Sequence, residues 1–277
     1  MYVSVRLTSG LGNRCFQVYA MLGYAERHGR IPVFVRAWIE PCSHPGSHTI
    51  LDLFPEVLLV DQAPAGGWAD HVEQGDDTLT YVALPAYPSH LMLRGIAPTE
   101  VPLPCHVLLT GNFQSERYFP SRVEVPRLFA VLRPTTYVTT AFLHVRRGDY
   151  LSPFCQHHCV DLSDYYRKAI ALFSDDTRLL VCSDDLDWCR AELPRLIPEV
   201  SWGRWMWADP AWSDAVTWAA MIACDAGGIC ANSTFSWFGG VWNPSPSKRI
   251  VMPGTWGYAP MPVARDIYPE CAIVVQV

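Results

Sequence analysis

The chain has 277 residues, half of them hydrophobic, which suits one large core or two of roughly 100–150 residues and excludes a disordered protein. Its formal charge of -6, from 21 basic and 27 acidic side chains, leaves no overall basic field for nucleic acid, so an anionic ligand must be held by a local cluster. No apolar run reaches the ~18 residues of a membrane span, and Arg6 with a polar turn stands where a signal peptide would be apolar. The expectation is an unexported, cytoplasmic protein with no integral membrane segment.

From the start of the chain, "MYVSVRL" alternates as a strand, "TSGLGN" reads as a glycine turn, and "RCFQVYAMLGYAERHG" has apolar positions three and four apart up to Gly29. The strand "IPVFV" follows at once, so the chain opens as a βαβ unit of a parallel sheet. Between about Ala37 and Pro104 the pattern loosens into brief strands, such as "LLVDQAP" and "YVALPAYP", separated by long loops. "HVLLTGNFQSERYF" reads as a strand running into a loop and helix.

The second half alternates more regularly. "TTAFLHVRRGDY" predicts a strand, "SDYYRKAIALF" a helix, "RLLVCS" a strand and "DDLDWCRAELPRL" a helix with acids at its positive end. "SWGRWMW" reads as a short strand, "WSDAVTWAAMIAC" as a helix, "AGGICAN" as a strand, "STFSWFGGVWN" as a helix and "KRIVMPG" as a last strand. Two α/β layers meeting near residues 130–140, at "VLRPTT", are expected to leave a ligand cleft at the carboxyl ends of their strands.

The chemistry concentrates in "FLHVRRGDYL". Strand alternation puts His144 and Arg146 on one face and Val145 and Arg147 on the other. A guanidinium fork suits phosphate oxygens; the competing reading is an ion pair with Asp149. The embedded "RGD" would serve adhesion only if exposed, and it follows a buried strand. "TSGLGN" lets backbone approach a ligand closely but lacks the third glycine of a dinucleotide fingerprint.

In "SDDLDW", Asp185-Leu186-Asp187 is a literal D-x-D, but the acids stand where a helix begins, with Ser183 or Asp184 as N-cap. Asn232, Ser233 and Thr234 lie at a strand-to-helix junction, where they form an anion pocket or merely cap the helix. "FCQHHC" reads as a structural loop rather than a zinc site, since no second ligand pair of proper spacing is near. The other cysteines lie mostly in apolar segments as buried thiols, and most of the eleven tryptophans are expected in the core.

"LTSGLGNRCFQVYA", "GNFQSERYF", "HVRRGDYL", "VCSDDLDWCRAEL" and "ANSTFSWFGGVWN" together resemble, in order and spacing, the alpha-1,2-fucosyltransferases of glycosyltransferase family 11. The likeness runs from Val3 to about Pro253. It implies an α/β protein of GT-B type, two Rossmann-like domains with a cleft between them. Residues 1–136 would form the N-terminal acceptor domain and 137–277 the C-terminal GDP-sugar domain.

It also implies transfer from GDP-beta-L-fucose with inversion, to the 2-hydroxyl of a galactose-terminated glycan, with no cofactor and no metal. By the same resemblance Arg146 binds the β-phosphate, His144 and Arg147 support it, and Asn13 reaches the cleft from the first domain. Asp184 belongs to the donor side, and Asn232, Ser233, Thr234 and Phe235 contribute to the phosphate and guanosine pocket. Asp149 is the candidate catalytic base, or else it only orients Arg147 and the loop. "WAAMIACDAGG" departs from the usual pattern and leaves Asp214 or Asp225 as the nearest acid for reading guanine. Other acceptors or linkages, a catalytically dead glycan-binding module and a zinc-dependent regulator are the competing functions.

Overall fold

A computed structural model of the chain describes residues 1–41, 50–73, 105–130, 138–258 and 266–277. The expected "YVALPAYP" strand and the "VLRPTT" junction lie outside the described residues, as does most of the segment from 37 to 104. Two compact units are present, residues 1–126 with 265–267 and residues 127–264 with 268–277.

The first unit holds a five-stranded parallel sheet in the order β3-β2-β1-β5-β4. Its strands are β1 (Tyr2–Val5), β2 (Ile31–Val35), β3 (Leu58–Val60), β4 (Trp68–Val72) and β5 (His106–Thr110). β1 and β2 pair in parallel, as the opening βαβ pattern requires, around the helix Leu11–His28. That helix starts three residues before the expected Arg14. Gly10 is its N-cap, so Leu11, Gly12 and Asn13 belong to its first turn and only the residues before them turn the chain. It ends at Gly29 with φ 59, a left-handed conformation that a side chain disfavours. β4 was not expected, because "WADHV" carries an aspartate and a histidine in place of a β-branched run. The helix expected after β5 is a single 3-10 turn, Glu116–Tyr118.

The second unit holds a six-stranded parallel sheet in the order β11-β10-β9-β6-β7-β8. It comprises β6 (Thr140–Val145), β7 (Arg178–Ser183), β8 (Trp205–Trp207), β9 (Gly227–Ile229), β10 (Arg249–Pro253) and β11 (Ala272–Val275). Helices Ser163–Ile170, Leu186–Leu196, Asp214–Ile222 and Thr234–Val241 connect them, each within the stretch its apolar spacing predicted. β10 is not the last strand. β11 pairs with it in parallel after residues 259–265, which are not described.

β6 is buried along its whole length and pairs with β7 on one side and β9 on the other. The β6–β9 contact is tight, since a Cβ on Gly228 would run into the Phe142 ring. Trp218, Trp237 and Trp242 are fully buried, and Trp218 stacks on Phe235 with centroids 4.8 Å apart. The α/β class is therefore observed, and each unit has the Rossmann-like form expected of a GT-B half. Among the described residues, no helix is long and apolar enough to cross a membrane.

Candidate functional site

The chain runs from β6 outward through β7 to β8, then returns to the other side of β6 as β9. This reversal makes a topological switch point between β6 and β9, and open α/β sheets place ligands beyond the carboxyl ends of the strands at such a point. The segments leaving β6, β7 and β9 carry the arginine loop, Asp184 with Asp185, and Asn232 with Ser233.

β6 ends at Val145, so both arginines stand on the loop after it. They nevertheless diverge, as strand alternation suggested. Arg146 Nη2 lies 2.6 Å from Asp149 Oδ1, and its Nη1 lies 2.8 Å from Asp184 Oδ2. Arg147 turns instead to the helix Leu186–Leu196, where its Nε donates to Asp185 Oδ2 at 3.0 Å and its guanidinium carbon lies 3.8 Å from the Trp188 ring centroid. These side chains keep a quarter to a third of their surface exposed, so the pairs orient the guanidinium groups and stabilise the fold by about 1 kcal/mol each at most.

The arginine–Asp149 ion pair weighed against ligand binding thus forms, but to Arg146. The expectation that Asp149 orients Arg147 is corrected. Asp185 holds Arg147, and "RGD" is folded into two separate ion pairs. Asp184 is not the helix cap. Its Oδ1 accepts the Arg147 N–H at 2.9 Å while its Oδ2 meets Arg146, and Asp185 caps the helix by accepting the Trp188 N–H. A Cβ at Gly148 would displace the Asp184 carboxylate, which could move only by loosening its bonds to Arg146 and to the Arg147 N–H.

His144, on β6, is 5% exposed, with its ring 5.7 Å from that of Phe235 and its Nδ1 without a hydrogen-bond partner. Burial pushes its pKa down to about 4; the Asp184 carboxylate opposes this and the Arg146 guanidinium adds to it. A neutral imidazole therefore adds no third positive charge to the cluster near pH 7.

Asn232, 2% exposed, spends both hydrogens of its amide on backbone, donating to the carbonyls of His158 at 2.9 Å and Trp256 at 2.8 Å. Ser233 caps the helix Thr234–Val241 by accepting the Phe235 N–H. Of the expected anion pocket, these two side chains supply the frame, while the half-buried Thr234 and Phe235 remain accessible. Asp225 accepts from the Thr140 N–H and Oγ1 at the amino end of β6, roughly 20 Å along the strand from Arg146. It is removed as a guanine reader near the arginines. Asp214 begins the helix Asp214–Ile222.

Asn13 lies in the other unit, where its Oδ1 accepts from Gln114 Nε2 at 2.7 Å. The "FCQHHC" loop forms a 3-10 turn, Gln156–His158, docked on Asn232. Among the described residues no group of three or more His, Cys, Asp or Glu is placed to hold a metal ion.

Two residues missed by the periodicity argument join the site. Tyr150 lies under Arg146, with its ring centroid 5.5 Å from the guanidinium carbon, and its hydroxyl donates to the Asn232 carbonyl at 3.0 Å. Trp188 carries Arg147. Both follow acidic residues in quoted motifs, but nothing local aims their rings at the arginines.

Over residues 129–257 the chain matches the pattern of glycosyl transferase family 11. It is 34% identical over 125 residues to the O-antigen biosynthesis glycosyltransferase WbnK of Escherichia coli, which is 42% of this chain and 39% of that protein. The match thus spans well under half the length of this curated relative. Among solved structures it is similar to fucosyltransferase NodZ from Bradyrhizobium, with a TM-score of 0.45 and 14% identity over 90% of this chain and 94% of that one. A structure of NodZ alpha-1,6-fucosyltransferase co-crystallized with GDP gives 0.45 and 16%, over 90% and 93%. The arginine loop, the Asp184–Asp185 turn and the Asn232 junction all fall inside residues 129–257, the segment that matches glycosyl transferase family 11.

Proposed function

We propose that the protein is an inverting fucosyltransferase. It moves L-fucose from GDP-beta-L-fucose to the 2-hydroxyl of a galactose-terminated glycan and needs no metal. The observation that carries this reading is the pair of unequal arginines beyond the carboxyl end of β6, beside a topological switch point in a family 11 segment. The fucosyl activity of NodZ, as its structures are titled, is consistent with the donor.

Fucosyl transfer breaks a glycosyl–phosphate bond through an oxocarbenium-like state, so catalysis must stabilise charge building on the departing GDP. Arg146 is the group for this, because a planar fork binds two phosphate oxygens at once. The cluster holds two guanidinium groups against the three carboxylates of Asp149, Asp184 and Asp185. A diphosphate therefore binds by taking a carboxylate's place on Arg146. Asp149 is the one to yield, being 35% exposed against 25% for Asp184 and borne on the same short loop. Its release coincides with donor binding, which makes it available as the base for the acceptor hydroxyl. Arg147, Asp184 and Asn232 keep the frame in place meanwhile.

The test is incubation of the purified protein with GDP-fucose and a panel of beta-galactosides, with and without EDTA, followed by linkage analysis of the product. Alpha-1,2-linked product unaffected by chelation is expected. Another linkage overturns the acceptor assignment, loss of product with EDTA overturns metal independence, and glycan binding without GDP binding points to a dead module.

A further inference from the structure

We infer that Tyr150 is a positioning residue for Arg146, tying the arginine across the switch point to the junction after β9; this rests on the fucosyl-transfer reading. Arg146 follows β6 and Asn232 follows β9, two strands paired side by side at the switch point. A long guanidinium side chain on a loop does not by itself keep one orientation, because its rotamers are many and its two carboxylate partners are themselves partly solvated.

Tyr150 adds a further constraint to those two ion pairs. Its ring lies under the Arg146 guanidinium with a carbon-to-centroid distance of 5.5 Å, within reach of cation–π attraction. Its hydroxyl reaches across to donate to the Asn232 carbonyl at 3.0 Å. The same ring is stacked on His158, with centroids 4.9 Å apart and planes 19° from parallel. His158 is itself held, because its carbonyl accepts from the Asn232 amide at 2.9 Å. Asn232 therefore grips Tyr150 directly, through its carbonyl, and indirectly, through His158.

Burial pushes the Tyr150 phenol well above its usual range, which agrees with a hydroxyl that stays protonated and keeps donating. Burial and the neighbouring His157 lower the pKa of His158, so the stacked imidazole stays neutral and does not repel Arg146. A ring that is a platform on one side and a tether at its tip fixes where the Arg146 fork points before any donor arrives.

Tyr150→Phe removes the tether and keeps the ring, whereas Tyr150→Leu removes both. In calorimetric titrations the Phe variant is expected to bind GDP about threefold more weakly than the parent, as for one neutral hydrogen bond. The Leu variant is expected to lose about tenfold, since the cation–π contact goes too. Guanosine, which has no phosphate for Arg146, should bind all three alike, and in an Arg146→Ala background Tyr150→Leu should cost nothing further.

Parental GDP affinity in the Leu variant, or equal losses for GDP and guanosine, would overturn the positioning role. A readout without ligand separates this from the functional reading. The guanidinium 15N signal of Arg146, identified by its loss in Arg146→Lys, should show slow rotation in the parent and faster rotation in Tyr150→Leu. If the parent binds no GDP, the fucosyl-transfer reading fails, and unchanged rotation in the Leu variant then sinks the role of Tyr150 as well.

Discussion

His144 offers a prediction that does not depend on the substrate. Its pKa falls from 6.5 to about 4 in the fold, chiefly because burial disfavours the imidazolium. The neutral form is the one the fold accepts, so as pH drops below 6.5 the unfolded chain takes up a proton that the folded chain refuses. Stability from this group is complete above about pH 6.5 and is lost as pH falls toward 4. At about 1.4 kcal/mol per pH unit the full difference is about 3.4 kcal/mol, with about 1.4 kcal/mol gone near pH 5.5 and about 2.5 kcal/mol near pH 4.5.

His144→Leu removes the titration together with an unpartnered Nδ1. The variant should match the parent within about 1 kcal/mol at neutral pH and exceed it by about 2 kcal/mol or more near pH 4.5. Urea unfolding at a series of pH values reads the gap, and an NMR titration of the His144 ring, expected to end near pH 4, reads its cause. Parallel stability curves for parent and variant, or a ring that titrates near 6.5, would refute the reasoning.

Arg146→Lys keeps the charge but cannot span Asp149 and Asp184 as the fork does; kcat/KM for fucosyl transfer should fall by about a hundredfold or more, and near-parental turnover would sink the assignment. For Asp149→Asn, loss of the acidic limb in the pH–rate profile supports the carboxylate as base, and an unshifted profile with a lower plateau marks it as a brace for Arg146. Asn232→Ala strips hydrogen bonds from one buried and one part-buried backbone carbonyl and should cost about 1–3 kcal/mol in chemical denaturation, while a change under about 0.5 kcal/mol would mean that solvent replaces them. Gly148→Ala drives a methyl group into the Asp184 carboxylate and should destabilise by about 1–3 kcal/mol while weakening GDP binding; parental affinity would show that the loop relaxes freely.

Much of the fold is local information. The opening βαβ unit and the alternation from β6 to β10 were legible because helix and strand periods differ and each segment carries its own. β4 and β11 were not, because "WADHV" is polar at two of five positions and "AIVV" is only four residues long. Their strand character comes from a neighbour that supplies hydrogen bonds. The helix start at Leu11 was hidden for a related reason, since two glycines in "TSGLGN" read as a turn while the helix tolerates one of them in its first turn.

The site divides in the same way. Strand alternation around "HVRRGD" separated the two arginines correctly, and the acids of "SDDLDW" did mark a helix start. Which acid does what was not local. Asp184 comes to Arg146 from β7, Asn232 reaches His158 across 74 positions of sequence, and Tyr150 finds the Asn232 carbonyl 82 positions away. The sequence by itself determined the two runs of alternating elements and a paired-arginine loop after a buried strand, because hydrophobic period and residue type act over a few neighbours. Only the tertiary structure decided that Asp184 braces both arginine residues, that Asn232 is a frame and that Tyr150 spans the switch point, because those contacts depend on sheet order and on loops meeting from different strands.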